Sequence, residues 1–98
     1  MHPDVLERVR MELEESGFGA GSAALLGGRS SAHHSFETSI SKFTGFETAL
    51  LFSSGYLANL GTLGALIKKN DWVFHDKLNH ASLIDGVLAT GCKHKRYP

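Results

Sequence analysis

Thr48-Ala49-Leu50-Leu51-Phe52-Ser53-Ser54-Gly55-Tyr56-Leu57-Ala58-Asn59 is the stretch whose reading decides the fold. An apolar run meets Ser-Ser-Gly, and a helical pattern starts at once. That order predicts a strand ending in a tight turn that opens a helix. The first N–H groups of a helix lack internal partners and carry partial positive charge, so such a turn is a seat for a phosphate. Gly55 lets backbone approach an anion closely, and the Ser53 and Ser54 hydroxyls stand beside it. Further on comes Leu78-Asn79-His80-Ala81-Ser82-Leu83-Ile84-Asp85-Gly86. The chain thus pairs a phosphate-type turn with a histidine that begins a second helix.

Working outward, Pro3 or Asp4 starts a first helix, with Val5, Leu6, Val9 and Leu13 at helical spacing and Gly17 as its end. Residues 18–32 read as a glycine-rich loop. Its composition fits a flexible linker and equally an ordered loop close to a ligand or another backbone. A helix over 34–44 follows, with Phe36, Ile40 and Phe43 on one stripe and Gly45 as its stop. Continuous apolar character makes 48–53 a buried strand. A helix over 56–69 carries Leu57, Leu60, Leu63 and Ile67, and Gly61 and Gly64 within it permit close packing of a neighbour. A strand over 71–75, a helix over 81–90 stopped by Gly91, and a strand over 93–97 complete the chain. From residue 33 onward the pattern is a helix followed by βαβαβ. The fold class is α/β, a mostly parallel sheet covered by helices. Three strands leave exposed edges, so the sequence is expected to be a piece of a larger α/β domain, with Met1 and Pro98 at truncation points.

The 98 residues carry ten basic and ten acidic side chains, so no electrostatic footprint points to nucleic acid or an anionic membrane. No apolar run is long enough to span a bilayer, and the N-terminus lacks the features of a secretory signal. The lone Cys92 forms no internal disulfide and reads as a small packing residue. Together these make the cytoplasm the expected setting. The histidines, among them the adjacent His33 and His34, lack metal-ligand spacing, so no metal site is expected. Asp71, Asp76 and Asp85 read as caps and surface charges. Taken alone, Ser54-Gly55 reads first as a plain strand-to-helix connection, and His80 as a capping or half-buried histidine.

The segments 48–59 and 76–87, with Gly27-Gly28 and His33-His34-Ser35-Phe36-Glu37 upstream, resemble the α-oxoamine synthases. These are pyridoxal-phosphate enzymes of the fold-type-I transferase class, and the resemblance runs from Val5 to Pro98. It reverses both of those plain readings. It implies pyridoxal 5'-phosphate as cofactor, an amino acid and an acyl thioester as substrates, and a homodimer in the full-length parent. By position it implies that Ser54, Gly55, Tyr56, Asn59, His80 and Ser82 form the cofactor side. The backbone N–H groups of Gly55 and Tyr56 would hold the phosphate. His80, the one candidate catalytic residue, would stack on the pyridine ring. Gly28 and His33 are weaker candidates on the substrate side.

The Gly55-Tyr56 form and the ending Lys95-Arg96-Tyr97-Pro98 resemble the branch that condenses L-alanine with a pimeloyl thioester in biotin synthesis. The branch joining glycine to acetyl-CoA is the alternative, and a non-catalytic α/β interaction module is a further one. The family's pyridine-pairing aspartate and Schiff-base lysine fall outside the matched motifs. None of Lys42, Lys68, Lys69, Lys77, Lys93 or Lys95 takes that lysine's place, and the 98 residues are expected to be inactive alone. Many relatives have an arginine near 23–25; here Arg29 comes a few residues later.

Overall fold

The computed structural model describes residues 2–98 and divides at Leu50/Leu51 into two units, each described by itself. In the first, helix α1 (Pro3–Ser16) starts where the sequence predicts. Pro3 pre-sets the helical φ at a position whose N–H has no helical partner. The His2 imidazole Nδ1 accepts the Asp4 N–H at 3.4 Å. At the far end Gly17 takes φ +74° and its N–H returns to the Leu13 carbonyl. The predicted stripe of Val5, Leu6, Val9 and Leu13 is exposed.

The glycine-rich segment is a loop with close backbone contacts of its own. A 3₁₀ turn, Ala24–Leu26, sits inside it, and the Gly28 N–H is bonded to the Ala23 carbonyl at 3.0 Å. Gly28 is buried, and a Cβ there would stand 1.9 Å from the Ser22 carbonyl oxygen. Only glycine lets these two backbone strands meet.

Helix α2 (Ser31–Thr44) starts three residues before the predicted 34. Ser30 caps it in a reciprocal box in which the His33 ring replaces the usual glutamate: His33 Nδ1 accepts the Ser30 N–H at 3.2 Å. Gly45, at φ +76°, ends the helix as predicted. Glu37 is buried and paired with the Arg29 guanidinium. The Phe36/Phe43 stripe, by contrast, is open: Phe43 is 88% exposed.

Residues 48–53, where the first unit gives way to the second, correct a prediction. They form no strand and lie outside the sheet, which among the described residues has two strands and not three. A strand is defined by a neighbour's ladder, and apolar character supplies none. Helix α3 (Gly55–Leu66) begins one residue before the predicted 56 and ends three before 69. Beyond Leu66, the Asp71 carboxylate takes the Lys68 N–H at 2.8 Å and the Asp71 N–H returns to the Lys68 carbonyl. That turn competes with further helix.

Strands β1 (Trp72–Asp76) and β2 (Lys93–Tyr97) pair in parallel, Trp72 opposite Lys93, and helix α4 (Ala81–Thr90) connects them. The pattern is therefore a single βαβ rather than the predicted βαβαβ. Alternation along β1 buries His75 on the face that also carries Val73, and leaves Trp72 and Phe74 exposed on the other. Those two rings stack at 6.0 Å with the Lys93 ammonium 5.8 Å above Trp72. Val87 of α4 and Cys92 form the small apolar core. Helix α4 packs on α3, where Gly86 meets Leu63: a Cβ on Gly86 would lie 2.6 Å from the leucine Cδ1. Gly61 likewise admits the Phe52 ring. Among the described residues no helix is long and apolar enough to cross a membrane.

Candidate functional site

The site is built where α3 and α4 start. Ser54 is the N-cap of α3, its Oγ accepting the Leu57 N–H at 3.2 Å, and the first backbone bond inside the helix runs from Ala58 N–H to the Ser54 carbonyl. The N–H groups of Gly55 and Tyr56 precede that bond, and both residues are exposed. At Gly55 a Cβ would meet nothing within 4 Å, and φ is not in the left-handed range. Neither crowding nor backbone conformation thus requires glycine there. The Gly55 and Tyr56 amides lie in the first turn of α3, where helix N–H groups have no partner within the helix.

His80 is the N-cap of α4. Its Nδ1 accepts the Ser82 N–H at 3.2 Å and lies 2.7 Å from the Ser82 Oγ. Ser82 is completely buried, and its Oγ also receives the Asn59 amide at 2.8 Å. Asn59 is on α3, so three residues that the sequence reading grouped are joined in one hydrogen-bonded series spanning both helices. His80 itself stays exposed.

A second tie was not anticipated. The Tyr56 hydroxyl donates to the Asp85 carboxylate at 2.7 Å, linking the first turn of α3 to α4. That hydrogen bond raises the Tyr56 pKa above its ordinary value of 10.0, with smaller contributions from desolvation and from the Asp85 charge. Asp85 is thus a bridging residue and not the plain surface charge the sequence suggested. The signal was faint, since 29 residues separate the partners.

Gly28 and His33 belong to the other unit. There they line one hollow of about 240 Å³, with Glu12, Ser16, Gly17 and Ala20 among its other walls. His33 Nδ1 is committed to capping α2. Gly28 is explained by the close approach of Ser22. The Arg29–Glu37 pair was also missed by the sequence reading; it spans eight residues and joins the loop to α2. The Ser53 hydroxyl, on an exposed residue, adds no capping bond among those described. No group of three or more His, Cys, Asp or Glu among the described residues is placed to hold a metal ion. His75 and His94 do approach, Nε2 to Nδ1 at 3.4 Å, as a pair.

Residues 1–98 match the family model described as aminotransferase class I and II. The chain is 49% identical over 96 residues to the 8-amino-7-oxononanoate synthase of Methylococcus capsulatus, covering 98% of this chain and 25% of that protein. Among solved structures, the serine palmitoyltransferase of Sphingomonas wittichii superposes with a TM-score of 0.93 at 34% identity, over 99% of this chain and 24% of that one. The serine palmitoyltransferase of S. paucimobilis, solved with PLP bound, does so with a TM-score of 0.93 at 33% identity, over 99% and 25%. The chain therefore spans about a quarter of the length of the relatives it matches. It shares the fold of the large domain of these transferases, and the two-stranded sheet is a part of that domain.

Proposed function

The chain belongs to the aminotransferase class I and II family, and from that premise we propose that it forms part of the cofactor seat of a pyridoxal-phosphate-dependent 8-amino-7-oxononanoate synthase. The reaction of the whole protein is then the condensation of L-alanine with a pimeloyl thioester, with loss of carbon dioxide. One observation carries the reading: an open helix start at Gly55-Tyr56 and a ring at His80 are tied together through Asn59 and Ser82, in a chain 49% identical to a synthase of that name. The residues present fit the cofactor, because the Gly55 and Tyr56 amides precede the first internal bond of α3 at an exposed helix start, which suits a phosphate.

In this reading each residue has a physical task. The Gly55 and Tyr56 N–H groups and the positive end of α3 hold the phosphate dianion. The Ser54 oxygen is occupied by the Leu57 N–H, so its hydroxyl hydrogen remains to donate to a phosphate oxygen. His80 offers an aromatic face to the pyridine ring and is held at its Nδ1 edge by Ser82. When bound, the cofactor supplies an electron sink for the carbanion formed at the amino-acid α-carbon. Gly28 and His33 stand as weaker candidates on the substrate side. The reading carries with it a homodimer and a cytoplasmic setting; the exposed stripes of α1 and α2 are consistent with burial against further protein.

The test uses the protein at the length of its relatives, supplied with pyridoxal phosphate. Turnover of L-alanine with a pimeloyl thioester, abolished or cut at least about tenfold by His80→Ala, is expected. Turnover with glycine and acetyl-CoA instead would replace the substrate assignment with that of a 2-amino-3-ketobutyrate-forming synthase. A folded protein that takes up no pyridoxal phosphate would leave only a non-catalytic α/β module.

A further inference from the structure

We propose that Asn59 and Ser82 are positioning residues that polarise His80, fixing its hydrogen on Nε2 and its lone pair on Nδ1, so that the ring presents Nε2–H outward as a donor. The argument starts from a group whose role is not free. The Ser82 backbone N–H can only donate, and it points at His80 Nδ1 from 3.2 Å. Nδ1 is therefore an acceptor, and the neutral ring carries its hydrogen on Nε2.

The remaining roles follow in order. The Ser82 Oγ lies 2.7 Å from the same Nδ1, so its hydroxyl donates there. Having given its hydrogen, that oxygen must accept, and the Asn59 Nδ2 group donates to it at 2.8 Å. All three bonds run in one direction, from α3 toward the ring. Reversing them would set the Ser82 N–H against a second N–H. Ser82 is wholly buried, so no water takes over either of its bonds, and a misdirected one costs its full desolvation. The ring, by contrast, is exposed. A buried relay ending on an exposed imidazole leaves one usable polar group there, the Nε2–H. It suits a ligand with an acceptor at the ring edge, and it denies His80 a role as a base through Nδ1. This goes beyond the proposed function, which uses only the face of the ring, and rests on it solely for the identity of the ligand.

The test reads nitrogen resonances of His80 in the uniformly ¹⁵N-labelled chain, which report tautomer without any cofactor. A single form with Nε2 protonated is expected. Asn59→Asp places an acceptor where the donor stood. The Ser82 hydroxyl should then turn to the new carboxylate, leaving Nδ1 with the Ser82 N–H alone, and the Nε2–H preference should weaken as it does in Ser82→Ala. In a Ser82→Ala background the same Asn59 change should leave the ring unmoved, because its messenger is gone. Ser82→Ala alone should lose part of the Nε2–H preference, and this variant serves if Asn59→Asp does not fold. A wild-type ring with the tautomer mixture of free histidine, or one that neither variant moves, overturns the proposal. A pyridoxal-phosphate titration of the protein at the length of its relatives separates the two ideas. Failure to bind alongside the expected tautomer breaks the proposed function and leaves the relay standing; binding alongside an unpolarised ring does the reverse.

Discussion

The starts of α2 and α4 solve one problem with the same two residue types and reach different ends. At α2, His33 Nδ1 takes the Ser30 N–H and lies 2.8 Å from the Ser30 Oγ. At α4, His80 Nδ1 takes the Ser82 N–H and lies 2.7 Å from the Ser82 Oγ. In both, an imidazole and a serine satisfy orphan amides of a helix start. The first arrangement ends there: it is exposed and joins residues three apart. The second is tied by Asn59 to another helix and sits on a buried serine. A local cap needs only its own turn, whereas the α4 cap is set by tertiary structure. The latter is the kind of support that holds a functional ring still.

The comparison can be broken most severely at Gly28. Gly28→Ala puts a methyl into the Ser22 backbone, which cannot yield as a side chain can; a loss of about 3 kcal/mol is expected. Amide exchange should show it confined to the loop and the first turn of α2. If the loss spreads to α3 and α4, the two starts are not independent. Next, Ser82→Ala leaves the half-buried Asn59 amide without its acceptor and should cost about 2 kcal/mol. Here α3 and α4 should lose protection together, and loss in α4 alone would reduce its cap to the local kind. Ser30→Ala should cost about 1 kcal/mol, felt in the first turn of α2 only.

The smallest effect is at the rim, where Tyr56 meets Asp85. Since the Tyr56 pKa is raised in the folded chain, its stabilising share is full below pH 10.0, the unperturbed value. It is lost as pH rises through the raised value. Asp85→Asn should bring the Tyr56 titration back toward 10.0 in an ultraviolet difference measurement, leaving the His80 ring unchanged. A shift of that ring would extend the tertiary support to this pair.

Much of the fold is legible because its punctuation is chemical. Pro3, Gly17, Gly45 and Gly91 mark helix ends by φ preference alone, and α4 and β2 fall where they are read. Residues 48–53 are misread because a strand depends on its neighbour. The early start of α2 hides behind a histidine doing the work of glutamate. The candidate site follows the same division. Ser54, Gly55 and His80 announce themselves at helix starts. The Asn59–Ser82 bond spans 23 residues and the Tyr56–Asp85 bond 29, and no local spacing encodes either.

The outer face of β1 and β2 has a practical use. Trp72 is the only tryptophan of the chain, and it is 59% exposed, stacked on Phe74 beneath the Lys93 ammonium. Its emission is therefore an intrinsic optical gauge of that one surface. Any layer of protein settling over the sheet strips water from the indole, and the colour of the light moves toward the blue as it does.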